Sequence, residues 1–509
     1  MSSARGVVRA ARGHALRIGA RAGRVLPGAA GARARYLDLV ARLDGGEDPA
    51  GRDREMREEL ERSSALFRSG DHTASLLWFD KALRIAYHPT LHYSESASPL
   101  TADPSAFLAP FRDSAVGREL FALPKTDQGP QRPAPRGHGG GEQAGAGSRS
   151  RSGEPTRLLV IAQRNWTFAE PVIEALGSRG FAVRRFEVDD LPADQRPTRE
   201  RVLSARLRLA LTGERLPTPE SLREQFEWAD TVLVEWGHHV LTWVSMLQTM
   251  PRRTVARFHR FEVYTPFPLL TVFPVVDRVL FVSPPVRSLL EHVTGNLASA
   301  GEIIEVDNFL GRGLGEEPDG HGDPHLLAQV GWVRPVKDVL FTLDLLARLR
   351  AEDPRYRLLL IGPPLPASAD EDSFHERAVR ERLAGFDEGA VEILGSRDDV
   401  PQLLAGAGWI ISSSLVEAVH EAVMEGLAAG CVPIVRDWPD VRDYGGARLI
   451  YPEDWVVEDL EAATARVLGI QRTGSHAEHA RAGRDWVVRR RSPDVVAERY
   501  VAALSAPQA

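Results

Sequence analysis

The sequence predicts an α/β protein with two doubly wound parallel-sheet domains that face each other across a cleft, preceded by an α-helical extension. Two series of short apolar runs alternate with stretches in which apolar residues have helical spacing. Strands that alternate with helices in this way favour parallel sheets. A stretch rich in glycine, proline and acidic residues, 311–325, separates the two series and is typical of an interdomain hinge. Each series is therefore expected to form a sheet of its own.

The apolar runs are the predicted strands. The first series consists of residues 157–162, 181–188, 231–236, 254–258, 278–282 and 302–306. The second consists of residues 326–332, 357–362, 391–394, 409–412, 431–435 and 448–451. Valine, leucine and isoleucine dominate these runs, as they do in parallel strands that are covered on both faces. We expect an N-terminal Rossmann-like domain over residues 156–310 and a C-terminal one over residues 326–475.

The chain before the first sheet has three predicted parts. Residues 1–51 form a basic and flexible tail, since residues 1–36 hold eight arginines and no acidic residue. Residues 52–123 form the helical extension, in which residues 52–92 have the pattern of a helix pair with a turn at Gly70. Residues 124–155 are rich in glycine, proline, glutamine, arginine and serine, and are predicted to be a disordered linker.

The basic tail has two interpretations. Six arginines share one half of a helical wheel: Arg5, Arg9, Arg12, Arg17, Arg21 and Arg24. A basic amphipathic helix of this kind can lie on an anionic membrane surface. Four glycines weaken such a helix, which favours a disordered tail instead. Peripheral contact with the inner face of a membrane and a solvated tail both remain open.

Composition limits the possible functions. The chain of 509 residues is 43% hydrophobic and 26% charged, which is typical of a soluble globular protein of several domains. A net charge of −7 argues against general nucleic-acid binding, and no apolar run is long enough to span a bilayer. The single cysteine, Cys431, excludes an intramolecular disulfide and favours a reducing compartment, so the cytoplasm is expected. The preference for arginine over lysine indicates a GC-rich, bacterial genome.

Two glutamates in the second series are the main candidates for chemistry. After the apolar segment 409–411 comes a serine turn and then a helical pattern, with Glu417 near its start and Glu425 about two turns further on. Ligands of open α/β sheets bind where strands end and helices begin, and a carboxylate there can accept hydrogen bonds from a sugar diol. However, Glu417, Glu421 and Glu425 are spaced by four residues, which also suits a solvated acidic stripe. Spacing alone does not separate these interpretations.

The surrounding run is more specific. From Ser414 onward, S-x-x-E-x7-E is followed by L-A-A-G-C-V-P-I-V. This signature resembles that of the retaining family 4 glycosyltransferases, which have the GT-B fold of two Rossmann-like domains. The resemblance implies that Glu417 approaches the donor sugar, that Glu425 holds the nucleotide ribose, and that a last helix within residues 476–509 crosses back to the first domain. Where the family has Gly-aromatic-Gly, this chain has Ala-Val-His, so Ser414 and His420 are expected beside the donor.

A cationic loop follows the first strand of the second series. Departure of a nucleoside diphosphate needs positive charge where negative charge develops. The run VGWVRPVKD resembles the phosphate-binding stretch of the family, and Lys337 matches its lysine. Trp332 occupies the usual arginine position, so Arg334 is expected to act as the second cation. The alternative is an exposed loop with ordinary charges.

The first domain offers further candidates. His259 follows the strand 254–258 in a setting that resembles the family segment whose histidine lies beside donor and acceptor. A structural histidine is the alternative. The loop after the first strand carries Arg164 and Asn165 where the family often has glycines, and these side chains are expected to donate hydrogen bonds to phosphate or to acceptor hydroxyls.

The sequence therefore predicts a glycosyltransferase that moves a sugar from a nucleotide-sugar donor to a carbohydrate or lipid-linked acceptor, with retention, in bacterial cell-surface polysaccharide or glycoconjugate synthesis. No cofactor beyond the nucleotide-sugar co-substrate is expected, since no cluster of residues has metal-ligand spacing. Two alternatives stay open: a catalytically silent GT-B-like protein that binds a carbohydrate or nucleotide, and another GT-B enzyme such as an epimerase or polyol-phosphate transferase.

Overall fold

The computed structural model describes residues 28–93, 97–124, 129–133, 155–310, 322–365 and 374–505. The chain divides into two compact units, Met1–Leu123 and Pro124–Ala509. The arginines of the predicted amphipathic tail, residues 5–24, lie outside the described residues, as does most of the predicted hinge. Within the described ranges, no helix is both long and apolar enough to cross a membrane.

The first unit is built from helices. They are α1 (Gly28–Asp44), α2 (Arg52–Arg68), α3 (His72–Ala86), α4 (Pro89–His92), α5 (Pro99–Ala102), α6 (Pro104–Asp113) and α7 (Ala115–Phe121). The pair α2 and α3 is the helix pair that the sequence predicts, and Gly70 takes a positive φ of 87° at its turn. Helix α1 differs from the predicted flexible tail. Leu39 and Leu43 lie one turn apart on its buried face, so this part of residues 1–51 is a packed helix.

Part of the predicted linker is also ordered. Residue Gln131 forms a parallel bridge with Thr249. The guanidinium of Arg132 donates to Asp277 Oδ2 at 2.8 Å and to the carbonyl of Val275 at 2.7 Å. The prediction of a disordered linker over residues 124–155 is therefore wrong for residues 129–133. The composition of this stretch indicates its low apolar content, but it does not indicate that the Arg132 side chain binds a backbone carbonyl far away in the sequence.

The second unit contains two parallel sheets. The strands of the first sheet are β1 (Thr156–Ala162), β2 (Phe181–Glu187), β3 (Thr231–Glu235), β4 (Thr254–Phe258), β5 (Arg278–Phe281) and β6 (Glu302–Glu305). Those of the second are β7 (Asp323–Val330), β8 (Arg357–Ile361), β9 (Val391–Gly395), β10 (Ala407–Ser412), β11 (Val432–Arg436) and β12 (Val456–Val457). The strand orders are β2-β1-β3-β4-β5-β6 and β12-β11-β10-β7-β8-β9. The predicted fold class, two doubly wound α/β domains of the GT-B type with a helical extension, is confirmed.

Helices cover both sheets. Those of the first domain are α8 (Ala169–Gly177), α9 (Arg199–Thr212), α10 (Glu220–Trp228), α11 (His239–Val244), α12 (Arg260–Val263), α13 (Phe267–Leu270) and α14 (Pro284–Thr294). Those that follow are α15 (Val339–Glu352), α16 (Phe374–Ala384), α17 (Val400–Gly406), α18 (Glu421–Ala428), α19 (Leu460–Thr473), α20 (His476–Arg491) and α21 (Pro493–Leu504). Short 3-10 helices are Val188–Asp190, Phe273–Val275, Leu297–Ser299, Pro335–Lys337, Pro439–Tyr444, Gly446–Leu449 and Glu453–Trp455.

The end of the chain completes the core of the first domain. Helix α20 packs against α18 in the second domain, whereas α21 packs against α8 in the first. Val496 and Tyr500 of α21 are fully buried in the same apolar cluster as Leu158 and Leu233 of the first sheet. The predicted crossing is therefore present. It consists of two helices and not of one, because Pro493 cannot continue α20 and begins α21.

Two predicted boundaries differ from the structure. The segment 448–451 is not a strand, because residues Gly446–Leu449 form a 3-10 helix and the edge strand is β12 instead. The Arg448 side chain binds Asp437 at 2.8 Å and Glu458 at 2.9 Å, which holds this segment beside the sheet edge. Strand β7 starts at Asp323, inside the predicted hinge 311–325. Apolar content marks the middle of a strand better than its ends.

Candidate active site

The candidate residues gather at the carboxyl ends of central strands. Strand β10 lies next to β7 in the second sheet, and the chain order reverses there. The loop after β7 carries Lys337, and the loop between β10 and α18 carries Ser414, Glu417 and His420. Ligands of open α/β sheets bind at such reversal points. The fold thus brings together residues that are about eighty positions apart in sequence.

Glu417 and Lys337 form an ion pair. The Lys337 Nζ lies 2.5 Å from Glu417 Oε1, and the side chains are 21% and 11% exposed. Ser414 Oγ donates to the same carboxylate oxygen at 2.9 Å. Burial alone would raise the pKa of Glu417, but its interactions with Lys337, His420 and Arg260, in that order, hold it well below its usual range. Glu417 is therefore an ionised acceptor at neutral pH.

The loop that carries Lys337 is fixed through its backbone. The carbonyl of Lys337 accepts a hydrogen bond from Ser413 Oγ at 2.7 Å and another from Gln329 Nε2 at 3.2 Å. The next residue, Asp338, has a φ of 38° and binds Arg436 at 2.5 Å. These bonds join the loop after β7 to the loop after β10 and to the end of β11. Lys337 is consequently held at its base, while its ammonium group can change partner.

His420 lies at the start of α18 in a left-handed conformation with a φ of 62°. A left-handed conformation is uncommon for residues other than glycine. Its Nδ1 lies 2.6 Å from Ser412 Oγ, and within the described part of the chain its buried Nε2 has no hydrogen-bond partner. Burial, with the nearby charge of Lys337, lowers the pKa of His420 to about 3. The ring is therefore neutral at physiological pH.

The expected second cation of the Lys337 loop is not paired with Glu417. Trp332 is buried and packs in the apolar core of the second domain, so it is structural. Arg334 is exposed. No described residue forms a hydrogen bond or an ion pair with its side chain in this structure. The expectation that Arg334 contacts phosphate stays a prediction.

The acidic residues of α18 have different surroundings. Arg491 of α20 donates to both carboxylate oxygens of Glu421, at 3.0 and 2.8 Å, and Arg491 is fully buried. The solvated-stripe interpretation is therefore wrong for Glu421, which joins two helices. Glu425, one turn further along, is half-buried. Its expected contact with a nucleotide ribose stays a prediction.

His259 belongs to a buried polar network. Its Nε2 lies 2.9 Å from Glu235 Oε1, and Arg257 donates to both oxygens of Glu235 at 2.8 and 2.7 Å. Burial alone would raise the pKa of Glu235, but Arg257 and His259 lower it to about 2. The His259 ring also packs on Trp236, with ring centroids 4.3 Å apart. These contacts give His259 a structural role, and its expected contact with substrate stays a prediction.

The loop after β1 is tied to the neighbouring strand. Arg164, with a φ of 64°, forms an ion pair with Asp189, and its backbone N–H donates to Glu187 Oε2 at 2.9 Å. Asn165 is exposed, and its carbonyl accepts from Trp236 Nε1 at 2.9 Å. The Arg164 side chain is therefore already paired with a carboxylate. Contacts of Arg164 and Asn165 with phosphate or acceptor stay predictions.

Sequence reasoning missed three polar residues at this edge of the first sheet. They are Glu235 at the end of β3, His239 at the start of α11, and Arg260 at the start of α12. His239 Nε2 lies 2.7 Å from Gln163 Oε1, and burial and Arg199 lower the pKa of His239 to about 4. The rule that selected His259, a polar residue after a central strand, would also have selected Glu235. Within the described residues, no group of three or more potential ligands is arranged to hold a metal ion.

Comparison with known families finds a match in the second domain. Residues 324–469 match the family described as "Glycosyl transferases group 1". The matched residues include Lys337, Glu417 and Glu425. No curated protein matches the chain.

Several solved structures are similar to this chain. A glycosyltransferase from Rickettsia africae is 14% identical with a TM-score of 0.48, and the match covers 69% of this chain and 98% of that one. A mutant of the O-GlcNAc transferase from Thermobaculum terrenum is 18% identical with a TM-score of 0.46, over 95% of this chain and 88% of that one. TarM is 12% identical with a TM-score of 0.43, over 54% of this chain. This chain spans about half the length of TarM, 55%. At these values the similarities assign no activity to this chain.

Proposed function

We propose that this protein transfers a sugar from a nucleotide-sugar donor to a carbohydrate or lipid-linked acceptor, with retention of the anomeric configuration. One observation carries the proposal: within residues 324–469, which match the glycosyl transferases group 1 family, a partly buried lysine and an ionised glutamate meet at the strand ends where α/β sheets bind ligands. A cation for a leaving phosphate and an acceptor for sugar hydroxyls are the two groups that the reaction needs most.

The proposed chemistry assigns a task to each side chain. Lys337 exchanges Glu417 for the donor diphosphate and neutralises the charge that develops as the bond between sugar and phosphate breaks. Glu417, freed from Lys337, accepts hydrogen bonds from the donor sugar, and Glu425 accepts those of the ribose hydroxyls. Because side chains supply the positive charge, the proposal includes no metal ion.

The acceptor and the cellular setting are also proposed. Bacterial cell-surface polysaccharide or glycoconjugate synthesis suits a cytoplasmic enzyme that uses a nucleotide-sugar. The eight arginines in residues 1–36 support contact with anionic lipid at the inner membrane face, where lipid-linked acceptors are found.

A silent binding protein is the second candidate, and a specific observation favours it. Lys337 and Glu417 neutralise each other at 2.5 Å, and His420 occupies the left-handed position beside them. A chain that has lost catalysis can retain such a pair as structure. Another GT-B enzyme, an epimerase or a polyol-phosphate transferase, would use the same donor site with a different product.

Incubation with UDP-, GDP- and ADP-linked hexoses separates these candidates. A transferase releases nucleoside diphosphate and yields a free or transferred sugar with the configuration of the donor, which NMR identifies. Glu417→Gln serves as the control and should release at most about one hundredth as much. Nucleotide binding by calorimetry without release indicates the silent protein. A sugar that changes identity while still bound to nucleotide indicates an epimerase. If no donor binds and no donor releases nucleoside diphosphate, the proposal is contradicted.

A further inference from the structure

Two consecutive residues at the end of β4 face opposite ways. His259 turns into the first domain, where it contacts Glu235. Arg260 leaves that domain, and its Nη1 donates to the carbonyl of Val416 in the second domain at 2.6 Å. Val416 directly precedes Glu417. The first domain therefore holds the backbone of the segment that carries the glutamate.

Charged and titratable groups surround Glu417 from several elements. They are Lys337 after β7, His420 at the start of α18, Arg260 at the start of α12, and Tyr451 after the 3-10 helix Gly446–Leu449. The charge of Arg260 also acts on Asp440, whose pKa burial raises to about 6 against the opposing effect of Arg436 and Arg260. Lys337 and Arg260 are the lysine and arginine side chains that act on Glu417. His420 is neutral at physiological pH.

The reaction needs the Lys337 ammonium group in two places, at the donor diphosphate and beside Glu417. If Lys337 moves to the donor diphosphate, Glu417 loses the ammonium group that now lies 2.5 Å away. A buried carboxylate without a countercharge takes up a proton, because burial disfavours its charged form. A protonated Glu417 would be a poorer acceptor for the sugar hydroxyls. A second cation must therefore stay with Glu417 throughout the reaction.

We infer that Arg260 is a positioning residue for this reaction: it reaches across from the first domain and keeps Glu417 in place and ionised while Lys337 serves the diphosphate. The arginine that the sequence places in the Lys337 loop, Arg334, is exposed and is not among the groups that act on Glu417. The second cation thus comes from the opposite domain. It acts only when the two domains are close enough for Arg260 to reach Val416. This inference rests on the proposed function.

The test compares Arg260→Ala and Arg260→Lys with a matched control. Arg350 also donates to backbone carbonyls, those of Pro354 and Tyr356 at 2.7 and 2.8 Å, but lies in α15, so Arg350→Ala serves as the control. We expect Arg260→Ala to lower kcat about 10- to 100-fold, within the range for one electrostatic group, with KM little changed. Arg260→Lys should recover part of the loss, because it keeps the charge.

The pH profile distinguishes positioning from simple structural damage. Removal of the Arg260 charge should raise the pKa of Glu417, so the acidic limb of the kcat profile should move to higher pH in Arg260→Ala. The control should keep the limb of the parent protein. An unmoved limb, or equal losses in Arg260→Ala and Arg350→Ala, would overturn the inference.

A stability cycle tests the same coupling without catalysis. Arg260→Ala should lower the free energy of unfolding more in the parent protein than in the Glu417→Gln background. In that background, residue 417 has no negative charge with which Arg260 can interact. Equal losses in both backgrounds would overturn the inference. Absence of turnover with every donor contradicts the proposed function alone, and the stability cycle still decides on Arg260. Turnover with an unaffected Arg260→Ala variant contradicts the inference alone.

Discussion

The pair of Lys337 and Glu417 links two predictions that the sequence makes separately. Motif positions indicate a cation for the diphosphate and a carboxylate for the donor sugar, but they do not indicate that the two groups touch. In the structure Lys337 lies 2.5 Å from Glu417. The two opposite charges of the ion pair cancel, and both side chains are partly buried. Substrate must therefore replace this contact before either group acts on it.

Replacement of Lys337 tests this exchange. We expect Lys337→Ala to lower kcat by about 100-fold or more, the scale for one preorganised electrostatic donor, and to affect KM less. Lys337→Arg should recover part of the rate because the charge remains. Steady-state rates with the donor identified in the nucleotide-sugar panel provide the measurement. Full activity of Lys337→Ala would mean that the donor phosphates lie elsewhere.

The residues that the sequence could predict are those with short-range signals. Ser414 and Glu417 are three positions apart, and their hydrogen bond follows from one local turn. The partner of the Val416 carbonyl, Arg260, could not be predicted, because the contact depends on how two domains pack. The left-handed backbone of His420 was likewise hidden, since histidine does not mark that conformation as glycine does.

At the scale of elements, helix α18 carries two glutamates with different neighbours. Glu421 faces α20 and binds the fully buried Arg491, whereas Glu425 lies one turn further along. Both belong to the same spacing pattern in the sequence. Because Glu421 binds a partner on another helix, we assign it a structural role. The expected contact with a ligand belongs to Glu425.

Matched substitutions on α18 separate these roles. Glu421→Ala should destabilise the protein by about 3 kcal/mol, the lower end for a broken buried ion pair, because Asp307 still lies 3.8 Å from Arg491. Glu425→Ala should leave the protein folded and weaken nucleotide binding by roughly 1.5–3 kcal/mol. Chemical denaturation and calorimetry measure the two effects. Intact nucleotide affinity in Glu425→Ala would argue against the ribose contact.

The elements that the sequence predicted well are the central strands. Their side chains are covered on both faces, so continuous apolar runs identify them. The edge of the second sheet was predicted wrongly, since residues 448–451 resemble a strand in sequence but consist of the end of the 3-10 helix Gly446–Leu449 and the turn after it. The two residues of β12 are too short to give a periodic signal. Edge elements depend on their neighbours more than on their own composition.

At the scale of the whole molecule, the boundary of the first helix does not coincide with the end of the basic region. The basic region extends to residue 36, but helix α1 already begins at Gly28. Ala32, Leu39 and Leu43 of α1 are buried. A truncation that follows the charge pattern would therefore remove part of a packed helix. The appropriate boundary for a tail deletion is residue 27.

Deletion of residues 1–27 should preserve turnover and reduce binding to anionic vesicles. The deletion removes six arginines and leaves α1 intact, so electrostatic attraction to lipid should fall by about 1 kcal/mol for each arginine that lies near the surface. Sedimentation with vesicles that contain phosphatidylserine measures the effect, and vesicles of phosphatidylcholine alone provide the control. Equal sedimentation of both proteins would eliminate membrane contact through the tail.

The return of α21 to the first domain has a consequence for synthesis on the ribosome. The hydroxyl of Tyr500 accepts a hydrogen bond from Arg257, and the carbonyl of Leu504 accepts one from Thr231 Oγ1 at 3.0 Å. Domains usually fold in the order in which they are translated. Here the domain that is translated earlier cannot close its core until the last helix has left the exit tunnel. Its unfinished face stays exposed while the second domain is made, and a chain that ends before α21 cannot complete the core of its first domain.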